Sequence, residues 1–231
     1  AGPITLRDIF DLYPYPNDIS ALCLTGTEIR DWLEMSASLF QKVIPGQAQQ
    51  PLFHPDYAAY NFEVIHGLSY QIDLTQPALF SPQGARLERP VADGGRIRQL
   101  RWQGKPLSSE QRFALATNSF RAGGGGHFPH TDGSRALPLP PAKMRPILAA
   151  YFRSGGDVAE HITDWRFTPF PETSVVFSTG IGALVHKDTF SDKIISAAEH
   201  PNGLLQCHMS LEPPTPSTHL ASSAQRNYIS V

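Results

Sequence analysis

Apolar residues recur along this chain in two rhythms. Ile29, Trp32, Leu33 and Phe40 fall at helical intervals, which predicts an amphipathic helix from Glu28 to about Gln41 with that face in the core. Thr25 and Glu28 stand where a capping box would open it, directly after a short strand at Ala21 to Leu24. The other rhythm has period two. Leu68, Tyr70, Ile72 and Leu74 alternate with Ser69, Gln71 and Asp73, predicting a strand within Phe62 to Leu74 that His66-Gly67 bends or bulges. Further strands are expected at Arg96 to Trp102, which turns at Gln103-Gly104-Lys105-Pro106, and at Arg112 to Thr117. Two more are expected at Trp165 to Phe170 and Ser174 to Ser178. Met144, Ile147, Leu148, Tyr151 and Phe152 mark a second helix, with Pro146 in its first turn and Gly155-Gly156 at its end. Asp192 to Glu199 reads as a short third helix. Val43 to Tyr57 and the Pro-rich stretch up to Pro141 read as loops. Strands and helices mix without a strict βαβ rhythm, so the expected class is α+β, a mixed sheet with packed helices. One domain is expected over 1–211, with a loosely ordered tail over 212–231.

With 231 residues, 41% hydrophobic and 17% charged, the chain can bury a sizeable core. A formal net charge of -2 excludes the broad basic field that holds polynucleotides, but leaves room for a small anionic ligand. No apolar run reaches the roughly 18 residues of a membrane helix. Cys23 and Cys207 fit either a bridge or two buried thiols. The opening Ala1-Gly2-Pro3 has neither Met nor a leader pattern, so a processed chain or a piece of a longer one is expected.

The segment after the Arg112 strand changes the picture. It reads Asn118-Ser119-Phe120-Arg121-Ala122-Gly123-Gly124-Gly125-Gly126-His127-Phe128. Four consecutive glycines are costly in chain entropy, so a bare backbone is needed there, either for close approach of a flat or anionic ligand or for a flexible loop. Phe120 can offer a ring face to a nucleobase or take a place in the core. Neither a Walker loop nor a dinucleotide fingerprint follows. Two tyrosines lie in the Pro-stiffened run Asp11 to Asn17, and Phe62 opens the long strand segment. Nine histidines are scattered, and only His127 and His130, near Asp132, come close in sequence, a weak metal signal. No nucleophile-elbow signature occurs. The residues alone favour binding over catalysis.

Four motifs, in this order, resemble a known family: Asp11-Leu-Tyr-Pro-Tyr-Pro-Asn17, the run Thr25 to Ala37, the run Tyr60 to Pro77, and Ala116 to Phe128. They resemble the C-terminal domain of the 5′-nucleotidase family, most nearly its bifunctional 2′,3′-cyclic-nucleotide 2′-phosphodiesterase/3′-nucleotidase branch, over about Ala1 to Leu211. The resemblance implies a nucleotide- or nucleoside-binding domain that works with an N-terminal metallophosphatase domain of the same polypeptide. That partner domain would hold two divalent metal ions, and this chain none. A base is sandwiched between two rings, one being Phe120. The other is Tyr15 by spacing in the cyclic-phosphodiesterase branch, with Phe62 as rival. Asn118 and the loop Arg121, Ala122, Gly123, Gly124, Gly125 and Gly126 line the substrate. Many relatives carry an Asp where Gly126 stands. The implied activity is hydrolysis of 2′,3′-cyclic nucleotides and 3′-nucleotides in the periplasm, with no polynucleotide or membrane partner. The metal half and a phosphate-binding segment are expected ahead of Ala1, and this stretch alone is expected to be inactive. The alternative is a stand-alone, non-catalytic module that binds another ligand or a protein.

Overall fold

The computed structural model describes residues 3–88, 95–156, 164–190 and 193–213. In chain order the elements are α1 (Leu6–Leu12), β1 (Ile19–Thr25), α2 (Gly26–Ala37), β2 (Gln50–Pro51), β3 (Leu68–Ile72), β4 (Ile97–Trp102), β5 (Lys105–Pro106), β6 (Arg112–Asn118), α3 (Ser119–Ala122), β7 (Ala136–Leu137), α4 (Met144–Arg153), β8 (Trp165–Phe167), β9 (Ser174–Gly180), β10 (Ile194–Glu199) and β11 (Leu204–Ser210). The class is α+β, as the sequence implies. The strands are divided among three sheets, ordered β6-β1-β7, β10-β11-β9-β2 and β5-β4-β3-β8. β2 on β9 and β3 on β8 are parallel pairs; the rest are antiparallel.

α2 forms where its sequence directs. Thr25 caps the Glu28 amide while the Glu28 carboxylate accepts from the Thr25 amide at 2.8 Å. Burial works against ionisation of Glu28. The Thr25 amide, Arg135 and the Thr25 hydroxyl more than offset it and hold the carboxyl below its ordinary pKa. Ile29, Trp32 and Leu33 are buried in one core cluster with Leu22 and Leu24 of β1 and Leu68, Tyr70 and Ile72 of β3. The helix stops at Ala37, short of the expected Gln41. Buried Arg96 donates to the carbonyls of Ala37 and Phe40, both at 2.7 Å, satisfying the C-terminal end. Phe40 remains in the core beyond the helix. Glu34, fully buried, accepts from the Arg96 and Ile97 amides; burial nonetheless pushes its carboxyl pKa up.

Other sequence expectations need adjustment. Only Leu68–Ile72 of the Phe62 to Leu74 segment is strand, because a 3-10 turn at Ala59–Asn61 and a bend at Gly67 precede it. The bulge lies on the neighbouring β4, where Gln99 has φ 51 and the register slips between Ser69 and Gln71. A two-residue strand, β2, interrupts the Val43 to Tyr57 loop, and β8 ends at Phe167. The helix expected at Asp192 to Glu199 is instead strand β10. Its backbone pairs with β11, and that long-range partner overrides a short apolar spacing that fits either element. Asp192 itself lies outside the described residues. α4 follows the expected helix, with Pro146 in its first turn. Cys23 and Cys207 are free thiols, and burial raises the pKa of Cys207. Residues 214–231 of the expected tail lie outside the described residues.

Candidate functional site

β6 delivers the glycine loop to the end of the three-stranded sheet. Asn118 closes the strand and caps α3, its side chain accepting from the Arg121 amide at 2.9 Å. The next side chains diverge. Phe120 stays 48% exposed, whereas Arg121 is 2% exposed. The Phe120 ring lies flush against the backbone of Gly125, where an added Cβ would come within 2.5 Å of a ring carbon. A bare backbone is therefore needed for contact with the protein's own ring. At Gly126, φ is +70, and a side chain there would run into the Arg121 guanidinium and the Asn61 amide oxygen. An aspartate at this position is incompatible with the loop as it stands.

Arg121 holds the loop. Its Nε lies 2.5 Å from Glu63 Oε1; its Nη1 donates to Asn61 Oδ1 at 3.2 Å and to the Gly125 carbonyl. The guanidinium sits 4.1 Å from the centroid of the Phe128 ring and 5.5 Å from that of Phe120. Glu63 in turn accepts from Trp32 Nε1 at 3.2 Å, and its backbone is tied to the Ser36 hydroxyl in both directions. A continuous polar network thus runs from the buried face of α2 to the glycine loop. The sequence expectation set Arg121 against the substrate; in the fold its side chain is directed inward and fixes Gly125. Asn61 and Glu63 act with it, and sequence reasoning missed both. The one available signal was an acid inside the apolar run Phe62 to Ile65.

Of the two rivals for a second ring, Phe62 packs edge-on to Phe40 and Trp165, both at 5.1 Å between centroids, as part of the core surround. Tyr15 is 59% exposed and edge-on to Tyr13 at 6.4 Å. Its segment runs beside α3. Ser119 donates its amide to the Asp18 carbonyl at 2.8 Å, and the Asp18 amide donates to the Ser119 hydroxyl at 3.1 Å. The structure therefore brings the stretches that carry Tyr15 and Phe120 side by side, each with an exposed ring. Arg145 of α4 secures the first of them by donating to the carbonyls of Tyr13, at 2.9 Å, and Pro14. Asn17 donates to the Tyr13 hydroxyl at 3.1 Å.

Two concavities among the described residues involve these segments, and Phe120 lines neither. One, about 400 Å³, includes Tyr15, Pro16 and Asn17 with Phe10 and Arg145. The other, about 470 Å³, includes Gly124, His127, His130 and Arg135. His130 faces two carboxylates of α2, with Nε2 3.4 Å from Asp31 and Nδ1 3.8 Å from Glu28. Among the described residues no group of three or more His, Cys, Asp or Glu is placed to hold a metal ion. Ala122 packs on the core, and Gly123 and Gly124 lead into the 3-10 turn at Gly125–His127.

The model of the 5′-nucleotidase C-terminal domain matches residues 1–133, which includes every element of this loop network. The chain belongs to the 5′-nucleotidase C-terminal domain family. It is 34% identical over 194 residues to the trifunctional nucleotide phosphoesterase protein YfkN of Bacillus subtilis, a match covering 83% of this chain and 13% of that protein. It is 34% identical over 175 residues to the 2′,3′-cyclic-nucleotide 2′-phosphodiesterase/3′-nucleotidase of Haemophilus influenzae, covering 73% of this chain and 26% of that protein. The fold is shared with the 5′-nucleotidase precursor of Thermus thermophilus, at a TM-score of 0.52 and 20% identity over 72% of this chain and 28% of that one. The chain thus spans only about an eighth to a quarter of the curated relatives. These relatives are hydrolases of nucleotide esters by name. At Gly126 the Arg121 guanidinium and the Asn61 amide oxygen occupy the space a side chain would need.

Proposed function

We propose that this domain is the nucleoside-binding part of a metal-dependent phosphoesterase acting on 2′,3′-cyclic nucleotides and 3′-nucleotides. The observation that carries the reading is the half-exposed Phe120 ring, seated on Gly125 of a loop that Arg121 locks, next to the segment presenting Tyr15. A ring backed by Gly125 and a second exposed ring on the neighbouring segment suit a flat heterocycle of any identity, since stacking is worth roughly 1–3 kcal/mol per base and is tolerant of which base is held. The loop's role is positioning: a base fixed at one end leaves the ester at the other end presented in one orientation.

In this proposal two divalent ions belong to a metallophosphatase domain outside residues 1–231. When bound there, they would supply an activated water and charge neutralisation at phosphorus. No step of that chemistry falls to this chain. A periplasmic location accompanies the same reading; no described helix is long and apolar enough to cross a membrane.

The test uses the complete gene product with adenosine 2′,3′-cyclic monophosphate and adenosine 3′-monophosphate as substrates. Hydrolysis of both is expected, abolished by a chelator and restored by divalent metal, with none from residues 1–231 alone. Hydrolysis indifferent to the chelator, or of neither ester, overturns the proposal. A complete product without a metal-binding half would favour a stand-alone binding module instead.

A further inference from the structure

α1 is a short helix that leaves most of its apolar side chains outside the core. Of Leu6, Ile9, Phe10 and Leu12, only Ile9 is buried. With α4 and the segment Tyr15 to Asn17, it walls the concavity of about 400 Å³. The nitrogen-bearing side chains on that wall are Asn17, Lys143, Arg145 and Arg153, and no Asp or Glu lines it. Arg145, Ala149 and Arg153 recur every four residues, so α4 turns one face to the concavity. The other concavity differs in kind. Asp132 lines it, and its His130 and Arg135 face the carboxylates of Asp31 and Glu28.

The cations beside Tyr15 keep donors to spare. Lys143, an exposed side chain, donates to Asp18 Oδ2 at 2.9 Å, and an ammonium carries more than one N–H. Arg145 donates Nε to the Tyr13 carbonyl and Nη2 to that of Pro14, so neither bond uses Nη1. Its guanidinium lies 4.3 Å from the centroid of the Phe10 ring. Arg153, exposed in the last turn of α4, has no hydrogen-bond or ion-pair partner among the described residues. The carboxylates of α1 are engaged elsewhere: Asp8 closes the Thr5 cap, and Asp11 lies 3.9 Å from Arg7. Only Asp18 offsets the three cations, so the wall carries an uncancelled positive charge. Donors of that kind suit an anion, and the apolar side chains of Leu6, Ile9 and Phe10 beneath them keep water off and strengthen each contact.

Tyr15 belongs both to this wall and to the proposed base clamp. A nucleoside stacked on Tyr15 has two ways out of its ribose. The 3′ side leads to the ester that is hydrolysed, and the 5′ side is left for the donors beside the ring. We infer that this concavity is a subsite for a 5′-phosphate, so that nucleoside 3′,5′-bisphosphates are substrates, preferred over 3′-monophosphates. The inference rests on the base clamp proposed above and adds to it the group that Lys143, Arg145 and Arg153 recognise. A phosphate there meets cations that a 5′-hydroxyl leaves unused.

The test is KM for adenosine 3′,5′-bisphosphate and for adenosine 3′-monophosphate, measured as phosphate release by the complete gene product at low ionic strength. KM is expected to be roughly 10-fold or more lower for the bisphosphate, and the gap to narrow as salt is added. Arg153→Gln and Lys143→Gln are expected to raise KM for the bisphosphate and to leave that for the monophosphate nearly unchanged. Arg153 is exposed, so its replacement leaves the fold intact. Equal KM for the two esters in the wild type, or a gap that survives both substitutions, overturns the subsite. Failure of the clamp reads differently, because Phe120→Ala then leaves KM for both esters where it was.

Discussion

Replacing Arg121 with methionine separates the anchoring of the glycine loop from its display. The substitution keeps most of the volume but removes the bond to Glu63, those to Asn61 Oδ1 and the Gly125 carbonyl, and the cation–π contact over Phe128 at 4.1 Å. Breaking a buried ion pair by deleting one partner typically costs about 3–5 kcal/mol, because the remaining charge loses its compensation. Glu63 keeps Trp32 Nε1 as a donor, and its side chain is 24% exposed, so the lower end applies, about 3 kcal/mol. For a chain of this size each kcal/mol moves Tm by about 2–4 °C, so a fall of about 6–12 °C is expected by calorimetry or circular dichroism. Phe120→Ala is the control. Its ring is half-exposed, so its removal is expected to cost no more than about 1 kcal/mol of stability. An Arg121→Met variant that melts with the wild type, or a Phe120→Ala variant that melts as low as Arg121→Met, refutes the assignment of anchor and platform.

Three further outcomes follow from the same geometry. Phe120→Ala is expected to weaken nucleoside binding by roughly 5- to 150-fold, measured by calorimetry or as KM in the complete enzyme, with kcat less affected; an unchanged KM contradicts the stacking role. Gly126→Ala is expected to lower Tm and broaden the loop resonances, since αL backbone costs a non-glycine residue roughly 1–2 kcal/mol before Arg121 and Asn61 are displaced. A silent substitution there contradicts the packing account. Glu28, whose carboxyl pKa is depressed in the fold, contributes stability that is present above about pH 4.3, its unfolded value, and is lost as pH falls through the folded value. The stability gap between wild type and Glu28→Gln, read from urea melts, is therefore expected to shrink from pH 7 to pH 3.5, and a constant gap contradicts it.

The parts of this molecule legible in its sequence are those governed by local chemistry. The Thr25–Glu28 capping box, the alternating Leu68, Tyr70 and Ile72, and the helix beginning near Met144 all carry their instruction within a few residues. β10 and β11 do not, because each depends on a partner that only the fold supplies, and the Ile194 segment reads equally well as helix. The site divides in the same manner. The glycines announce an unusual backbone, and four ordered motifs carry the family. The reason for the glycines lies elsewhere in the chain: Gly125 accommodates Phe120, and Gly126 makes room for Arg121 and for Asn61, sixty residues before that arginine. Glu63 could not be singled out, because a carboxylate in an apolar run becomes informative only when its cation is seen.

The central claim is that a nucleobase is held by the exposed rings of Phe120 and Tyr15. Titrating residues 1–231 with adenosine 3′-monophosphate up to about 10 mM, well above the weak millimolar affinity that corresponds to about 4 kcal/mol, and following side-chain and backbone NMR shifts tests it directly. Saturable shifts are expected at Tyr15, Phe120 and the 123–126 loop, with the Phe62 ring silent in its packing against Phe40 and Trp165. No response at Tyr15 and Phe120, or a response centred on Phe62, contradicts the account.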